Sequence, residues 1–332
     1  MLRIHKTYPF LLSDEMPSAI PFDLVYRPDA KNLWPAVTLV VDYDLSVINR
    51  ISPQNWKCAE LEDLSGPYER MLIQVVQFDS LLQVKRDVYA ASRILSPNGE
   101  LRVTVPPKSG AKRVTSDLRQ VFNHVEVIKT AGLTLLICRQ PIPTQFPEEP
   151  SYIEYQDPVS ACELRYLVRP GIFSGDGIDA GTDFLLQSVP SVEGKALLDV
   201  GCGYGAIGVV TSARGADVSL LDVDARVVKL AGQNLKLNGL GGKVFLKLQP
   251  YDFKDGAFDV VLSNPPTHAG SETLQVLFSE MVRVSSNKGY VAIVVREHLN
   301  YEKWLRELGD VQRLGTAHGY KVLQISKGRG PK

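Results

Sequence analysis

The stretch LLDVGCGYGAIGVV (197–210) decides how the rest of the chain is read. Residues 197–200, apolar except for Asp199, run into a turn carrying Gly201, Gly203 and Gly205, and apolar residues then resume through Val210. That is a strand feeding a glycine turn and then a helix. The glycines let the backbone turn sharply and admit a ligand against main-chain atoms, where a Cβ would collide. A small-molecule loop is the natural reading, and a plain structural turn is its alternative.

Outward from this loop, short β-branched runs alternate with stretches of helical periodicity, the pattern of an α/β fold with a mostly parallel sheet. The predicted strands are ALLDV (196–200), ADVSLLDV (216–223), KVFLKL (243–248), FDVVLS (258–263), GYVAIVV (289–295) and GYKVLQIS (319–326). Asp224 is expected to cap a helix through Leu237 that Gly239 ends. Ser271 is expected to cap one running to about Val284, and YEKWLREL (301–308) reads as a last helix.

The first half carries a weaker copy of the plan. Tyr68–Val105 aligns with Phe258–Val295 without a gap, placing Gly99 on Gly289. HVEVIKTAGLTLLI (124–137) resembles DVQRLGTAHGYKVLQI (310–325) with one gap, and VDYD (41–44) resembles DVDA (222–225). These matches, in the same order, point to an ancient duplication. The first copy has no glycine-rich loop and places Gln74-Val75-Val76 where the second has Asn264-Pro265-Pro266, so it is not expected to catalyse. Two domains follow, 1–145 and 146–332, joined through the Pro/Glu-rich QPIPTQFPEEPSY (140–152).

A chain of 332 residues with 44% hydrophobic and 22% charged residues has the composition of ordinary globular domains. Lys+Arg and Asp+Glu are both 37, so there is no global basic field, and any nucleic-acid contact must use a local patch. Cys58, Cys138, Cys162 and Cys202 form no metal-binding spacing and read as reduced thiols of a cytoplasmic protein. No metal site is visible. No signal peptide is read in the first residues, and nowhere do about 18 apolar residues run together, so no membrane span is expected.

Gly203–Gly208 also satisfies GxGxxG, the dinucleotide pattern. Asp199, two residues before the first glycine, turns the reading away from it. A carboxylate there suits the cationic methionine end of S-adenosylmethionine and would repel a pyrophosphate. Asp222 ends the second strand about twenty residues on, where a carboxylate can accept ribose hydroxyls; a helix cap is its alternative. Gln249, after the third strand, has an amide that could bond adenine, with an ordinary loop as its alternative.

Ser263-Asn264-Pro265-Pro266, at the end of FDVVLS, names the chemistry. An exocyclic amine on a ring is a poor nucleophile because its lone pair is delocalised into the ring. The Asn264 side-chain oxygen and the Pro265 carbonyl can accept its two N–H bonds and draw the nitrogen toward tetrahedral geometry. The prolines fix the turn. No dedicated base is demanded, because the proton can leave after transfer. A rigid Asn-Pro turn with no catalytic role is the alternative.

With these residues in view, the C-terminal half resembles the ribosomal RNA guanine-N2 methyltransferases of the small-subunit and large-subunit type. The resemblance runs from about Pro170 to Ser326 and includes PGIFSGDGIDAGTDFLL (170–186), LLDVGCGYG, LLDVD, SNPPTHAG (263–270) and the closing GYKV. It implies S-adenosylmethionine as cofactor and two tandem Rossmann-like methyltransferase domains, of which only the second is catalytic. Asn264 and Pro265 would be catalytic. Phe173, Thr182, Asp199, Gly201, Cys202, Gly203, Asp222, Val223 and Gln249 would hold the cofactor, with Asp179 a further candidate near it. Pro266, Thr267 and His268 would meet the substrate. Thr267 departs from the family, which usually has an aromatic residue there to stack on the target base. The implied acceptor is a guanine in ribosomal RNA, and the first domain would support folding or grip RNA. Adenine N6, cytosine N4 or a protein glutamine as acceptor, and a non-catalytic RNA-binding or assembly factor, stay open as alternatives.

Overall fold

Two sheets of the same design organise the chain in the computed structural model, which describes residues 22–26, 37–42, 56–75, 80–130, 132–147, 151–169, 172, 177–266 and 270–328. The chain divides into two compact units, Arg3–Glu149 and one from Pro150 onward.

In the first unit the strands are β1 (Phe22–Tyr26), β2 (Val37–Asp42), β3 (Trp56–Cys58), β4 (Tyr68–Gln74), β5 (Leu95–Val105), β6 (Phe122–Lys129) and β7 (Thr134–Pro141). Helices α1 (Leu81–Ile94) and α2 (Ala111–Val121) lie between β4 and β5 and between β5 and β6. The sheet order is β3-β2-β1-β4-β5-β7-β6.

The second unit opens with a hairpin of β8 (Ser151–Gln156) and β9 (Glu163–Val168), followed by α3 (Ala180–Ser188). Its main sheet takes β10 (Ala196–Val200), β11 (Asp217–Asp222), β12 (Lys243–Leu246), β13 (Phe258–Ser263), β14 (Ser285–Arg296), β15 (Asp310–Ala317) and β16 (Tyr320–Ser326). Helices α4 (Ala206–Ala213), α5 (Ala225–Leu237), α6 (Ser271–Val284) and α7 (Glu302–Leu305) connect them. The order is β12-β11-β10-β13-β14-β16-β15, the order of the first sheet strand for strand. It is parallel from β12 to β14 and antiparallel from β14 through β16 to β15.

Even the irregularities agree: the β4–β5 register shifts between Tyr68 and Arg70, and the β13–β14 register shifts between Phe258 and Val260. The equivalence also corrects one sequence match. Val41 pairs with Tyr26 and Leu221 with Val200, so Asp42 is the counterpart of Asp222, one residue away from the VDYD/DVDA alignment. Val25, opposite Leu72, then stands where the second unit has Asp199, opposite Leu262.

The strands of the second sheet read as continuous apolar runs because both faces are covered. Leu197, Leu220, Val260, Ala292 and Val322 pack into one core with Leu185, Val209 and Leu230 from α3, α4 and α5. Their chain neighbours Leu198, Leu221, Val261, Ile293 and Leu323 pack into the other with Phe278 and Met281 of α6 and Leu305 of α7. The alternation is the two-residue strand period.

Long-range polar contacts hold the β8–β9 hairpin. Asn234, fully buried on α5, accepts the Leu167 N–H at 2.7 Å and donates to the Leu167 carbonyl at 3.0 Å. One turn along, Asn238 does the same for Arg165, at 2.9 and 2.8 Å. Residues four apart on a helix thus match alternate residues of a strand. At the hairpin turn, Arg214 donates to both oxygens of Asp157, at 2.8 and 2.5 Å, and to the Leu186 carbonyl at 2.6 Å. Burial pushes the Asp157 carboxyl up, but Arg214, Ser160 and the Val159 N–H outweigh it and hold the group well below the usual carboxylate range. Arg214→Ala would leave this carboxylate, 0% exposed, without its cation. A loss of about 3–5 kcal/mol is expected, read as a lowered urea midpoint. An unchanged midpoint would show that water reaches the group.

Several predicted boundaries move. Ser271 is the first residue of α6, with Gly270 at the cap and no side-chain capping bond, so its hydroxyl does not cap the helix. Asp224 does cap α5, accepting the Arg226 N–H at 2.9 Å. YEKWLREL gives only the single turn of α7, and the strand DVQRLGTA (310–317) follows it.

Candidate active site

Strand order reverses between β10 and β13: β10 pairs with β11 on one side and with β13 on the other. In open α/β sheets a crevice forms at such a point, beyond the carboxyl ends of the strands. The glycine loop follows β10, and Asn264 follows β13. Ser263 fastens the two ends together by donating its hydroxyl to the Val200 carbonyl at 2.7 Å.

Gly201, Gly203 and Gly205 adopt φ of 71°, 54° and 93°, the left-handed region that favours glycine. The Gly201 and Cys202 N–H groups both donate to the Leu221 carbonyl, at 2.9 and 3.0 Å, hooking the loop over the end of β11. A Cβ at Gly201 or Gly203 would meet nothing within 4 Å, so these two border open space. At Gly208 a Cβ would lie 2.4 Å from Leu220 Cδ2; that glycine lets α4 sit close on the sheet.

Asp199 is fully buried on β10. One oxygen accepts the Gly208 N–H at 3.0 Å, and the other has no hydrogen-bond partner among the described residues. Burial pushes its carboxyl up to about 8, the Gly208 bond opposes the shift, and the charge of Asp222 adds to it. Asp222 receives the Gly203 N–H at 2.9 Å on one oxygen and the Asp224 N–H at 3.0 Å on the other. Burial raises it to about 6 against those bonds. Asp222 therefore braces the glycine loop, and Asp224 caps the helix. The Cys202 thiol is buried and raised, first by burial and then by the nearby carboxylates, so it is inert. Val223, between the two aspartates, is half-buried.

Gln249 precedes the turn Pro250–Asp252 and carries a buried side-chain oxygen with no partner among the described residues. Arg283 on α6 ties that turn down by donating to the carbonyls of Pro250 at 3.1 Å, Tyr251 at 3.3 Å and Phe253 at 2.9 Å.

The Asn264 amide donates to Asp179 Oδ2 at 3.1 Å and to Thr182 Oγ1 at 2.9 Å. Pro265 is buried and Pro266 exposed. A pocket brings together Asn264, Asp179, Thr182, Gly201, Gly203 and Tyr204, with Cys202 also on its wall. Asp199, Asp222, Val223 and Gln249 do not line it. Asp222 reaches it through Gly203, and Asp199 through the helix that follows the loop. Phe173, Thr267 and His268 lie outside the described residues. Sequence reasoning did not find Tyr320, whose hydroxyl donates to Asp179 Oδ1 at 3.4 Å; the closing GYKV was the available signal. Among the described residues, no group of three or more His, Cys, Asp or Glu is placed to hold a metal ion, and no helix is long and apolar enough to cross a membrane.

Residues 163–324 match the family described as Methyltransferase small domain. The fold is that of a class I methyltransferase, and a solved structure shares it over nearly the whole chain. That structure is the 16S rRNA N2 G1207 methyltransferase (RsmC) of T. thermophilus in complex with AdoMet and guanosine. Its TM-score is 0.78 at 22% identity, covering 93% of this chain and 89% of that one. The ribosomal RNA small subunit methyltransferase C of Salmonella typhi is 35% identical over 268 residues, 78% of this chain and 72% of that protein. The chain belongs to the ribosomal RNA small subunit methyltransferase C family. The match to the Cronobacter sakazakii member, 37% identical over 178 residues, is shorter: it takes in 51% of this chain and about half, 52%, of that relative.

Proposed function

We propose that the second unit transfers a methyl group from S-adenosylmethionine to the exocyclic N2 of a guanine in ribosomal RNA. The observation that carries this reading is the placement of Asn264 beside the glycine cradle at the reversal of strand order, with both amide N–H groups engaged and Oδ1 without a partner among the described residues. The cofactor suits the residues. Open space borders Gly201 and Gly203, and among the described residues Asp199 keeps an unpartnered buried oxygen for a cation and Gln249 keeps one for an amine.

When bound, S-adenosylmethionine supplies an electrophilic methyl group. Asp199 with Gly201, Cys202 and Gly203 would hold its methionine end, Asp222 and Val223 its ribose, and Gln249 its adenine, while Phe173 and Thr182 would border it. Asn264 Oδ1 and the Pro265 carbonyl would accept the two N–H bonds of the guanine amine and orient its lone pair. Pro266, Thr267 and His268 would face the base. The proton leaves after transfer, so no side chain need act as a base.

Ribosomal RNA as the substrate is supported by the names of the relatives and of the T. thermophilus neighbour. Its backbone would meet a local basic patch, and the reaction belongs in the cytoplasm. The first unit, 1–145 by the sequence reading, would support folding or grip RNA. Its sheet order argues for duplication, and Val25 and Gln74 at the positions of Asp199 and Asn264 argue against catalysis there.

The test incubates purified protein and methyl-labelled S-adenosylmethionine with small ribosomal subunits and with naked ribosomal RNA from cells lacking the gene. Label is expected in N2-methylguanosine after digestion to nucleosides. Label confined to protein, or found in another nucleoside, overturns the reading.

A further inference from the structure

Asn264 can act only in one orientation. A side-chain amide has an accepting end and a donating end of nearly the same shape, and a half-turn about its last bond exchanges them. With the ends exchanged, two N–H groups would face the N–H groups of the acceptor amine.

The surroundings of Asn264 select one orientation. Its Nδ2 donates to Asp179 Oδ2 at 3.1 Å and to Thr182 Oγ1 at 2.9 Å, so both amide hydrogens are used. The Thr182 hydroxyl can donate or accept and would tolerate either end. A carboxylate only accepts, so Asp179 sets the polarity. Other donors also bond Asp179. Its Oδ2 also takes the Gly181 N–H at 3.0 Å and the Thr182 N–H at 3.2 Å, and its Oδ1 takes the Tyr320 hydroxyl at 3.4 Å. The Tyr320 ring is itself covered by the Arg296 guanidinium at 4.2 Å. Gly181 leaves room for this junction: a Cβ there would stand 2.8 Å from the Tyr320 ring and 2.9 Å from Asp179 Oδ2.

We propose that Asp179 is a positioning residue which, with Thr182 beside it and Tyr320 behind it, fixes the Asn264 amide so that Oδ1 faces the acceptor amine. The proposal rests on the reading of Asn264 given above and assigns Thr182 a task besides lining the pocket.

The expected result of Asp179→Ala is a fall of about 100-fold in single-turnover methyl transfer to small ribosomal subunits, with S-adenosylmethionine affinity changed by no more than about twofold. In the Asn264→Ala background the same substitution should cost little further, because there is no amide left to orient. A residue that merely caps α3 would cost the same in both backgrounds, and that result overturns the proposal. Thr182→Val keeps the backbone cap and is expected to lose about tenfold, with Thr182→Ser restoring the rate; a wild-type rate for Thr182→Val overturns it too. This pair decides the matter should Asp179→Ala fail to fold. The Asn264 side-chain amide resonance gives a readout that needs no RNA: it should move in Asp179→Ala and Thr182→Val. A resonance unmoved by either overturns the positioning role. Wild-type protein that labels no RNA while its variants do move the resonance sinks the proposed function instead.

Discussion

Replacing Asn264 with Ala is expected to lower methyl transfer by on the order of 10³-fold, the upper range for removing one group that acts on the reacting atoms. Cofactor affinity should stay close to that of the native chain. The division follows from what the side chain touches. Its two N–H groups are spent on Asp179 and Thr182, so the substitution removes an acceptor from the amine and leaves the glycine cradle untouched. Asp179 keeps the Gly181 and Thr182 N–H groups, so the start of α3 keeps its cap. The buried Pro265 and the Ser263 to Val200 bond continue to hold the end of β13 beside β10. Transfer rate is measured in single turnover with saturating S-adenosylmethionine, and affinity by titration calorimetry. Transfer at the native rate would remove Asn264 from the mechanism. Loss of cofactor binding in parallel with rate would make it a binding residue.

The sheet was legible in the sequence wherever a strand is buried on both faces. ALLDV and FDVVLS are runs whose alternate residues feed two different cores, and their observed limits are the predicted ones. The helix Ala225–Leu237 was legible because Asp224 and Gly239 mark its ends. The shared strand order of the two sheets had a trace in the sequence, since Tyr68–Val105 keeps the spacing of Phe258–Val295, and the register shifts fall at aligned positions.

Elements whose stability comes from distant residues were not legible. SYIEYQ and ELRYLV form a hairpin because Asn234, Asn238 and Arg214, remote in sequence, bond its backbone and its buried Asp157. Nothing within the two segments announces those partners. DVQRLGTA lies at the sheet's edge and has too few buried residues to give a strong strand signal. At the site, Asp222 was legible as the carboxylate that ends β11. Its bond to the Gly203 N–H depends on how the loop folds back on β11 and has no sequence signature.

Asp199→Asn is expected to raise the stability of the ligand-free protein at pH 8 and to weaken its binding of S-adenosylmethionine. The carboxyl is fully buried, and its folded value of about 8 lies far above its ordinary 3.8. A raised value means that the folded state binds the proton more tightly than the unfolded state. Stability is therefore intact below about pH 4, falls as pH climbs, and levels off above about pH 8. At 1.36 kcal/mol per unit the full loss is on the order of 5 kcal/mol. Asn carries no charge and removes that slope. Its carbonyl can keep the Gly208 N–H, but its amino end must stand where Asp199 has an oxygen unpartnered among the described residues, at a cost of about 1–3 kcal/mol. Burial of the charge is the larger effect, so a net gain of a few kcal/mol remains, seen as a higher melting temperature at pH 8 and little difference at pH 5. Asp222, raised to about 6, keeps a smaller slope of the same sign in both proteins. Binding runs the other way, because a cationic ligand favours the ionised carboxyl. Native affinity for S-adenosylmethionine should rise with pH up to about 8, whereas the variant should bind weakly with only the shallow dependence that Asp222 supplies. A variant less stable than the native chain at pH 8 without ligand would mean that a counter-charge or water already satisfies the buried carboxylate. Native-like affinity in the variant would mean that the carboxylate does not serve the cofactor.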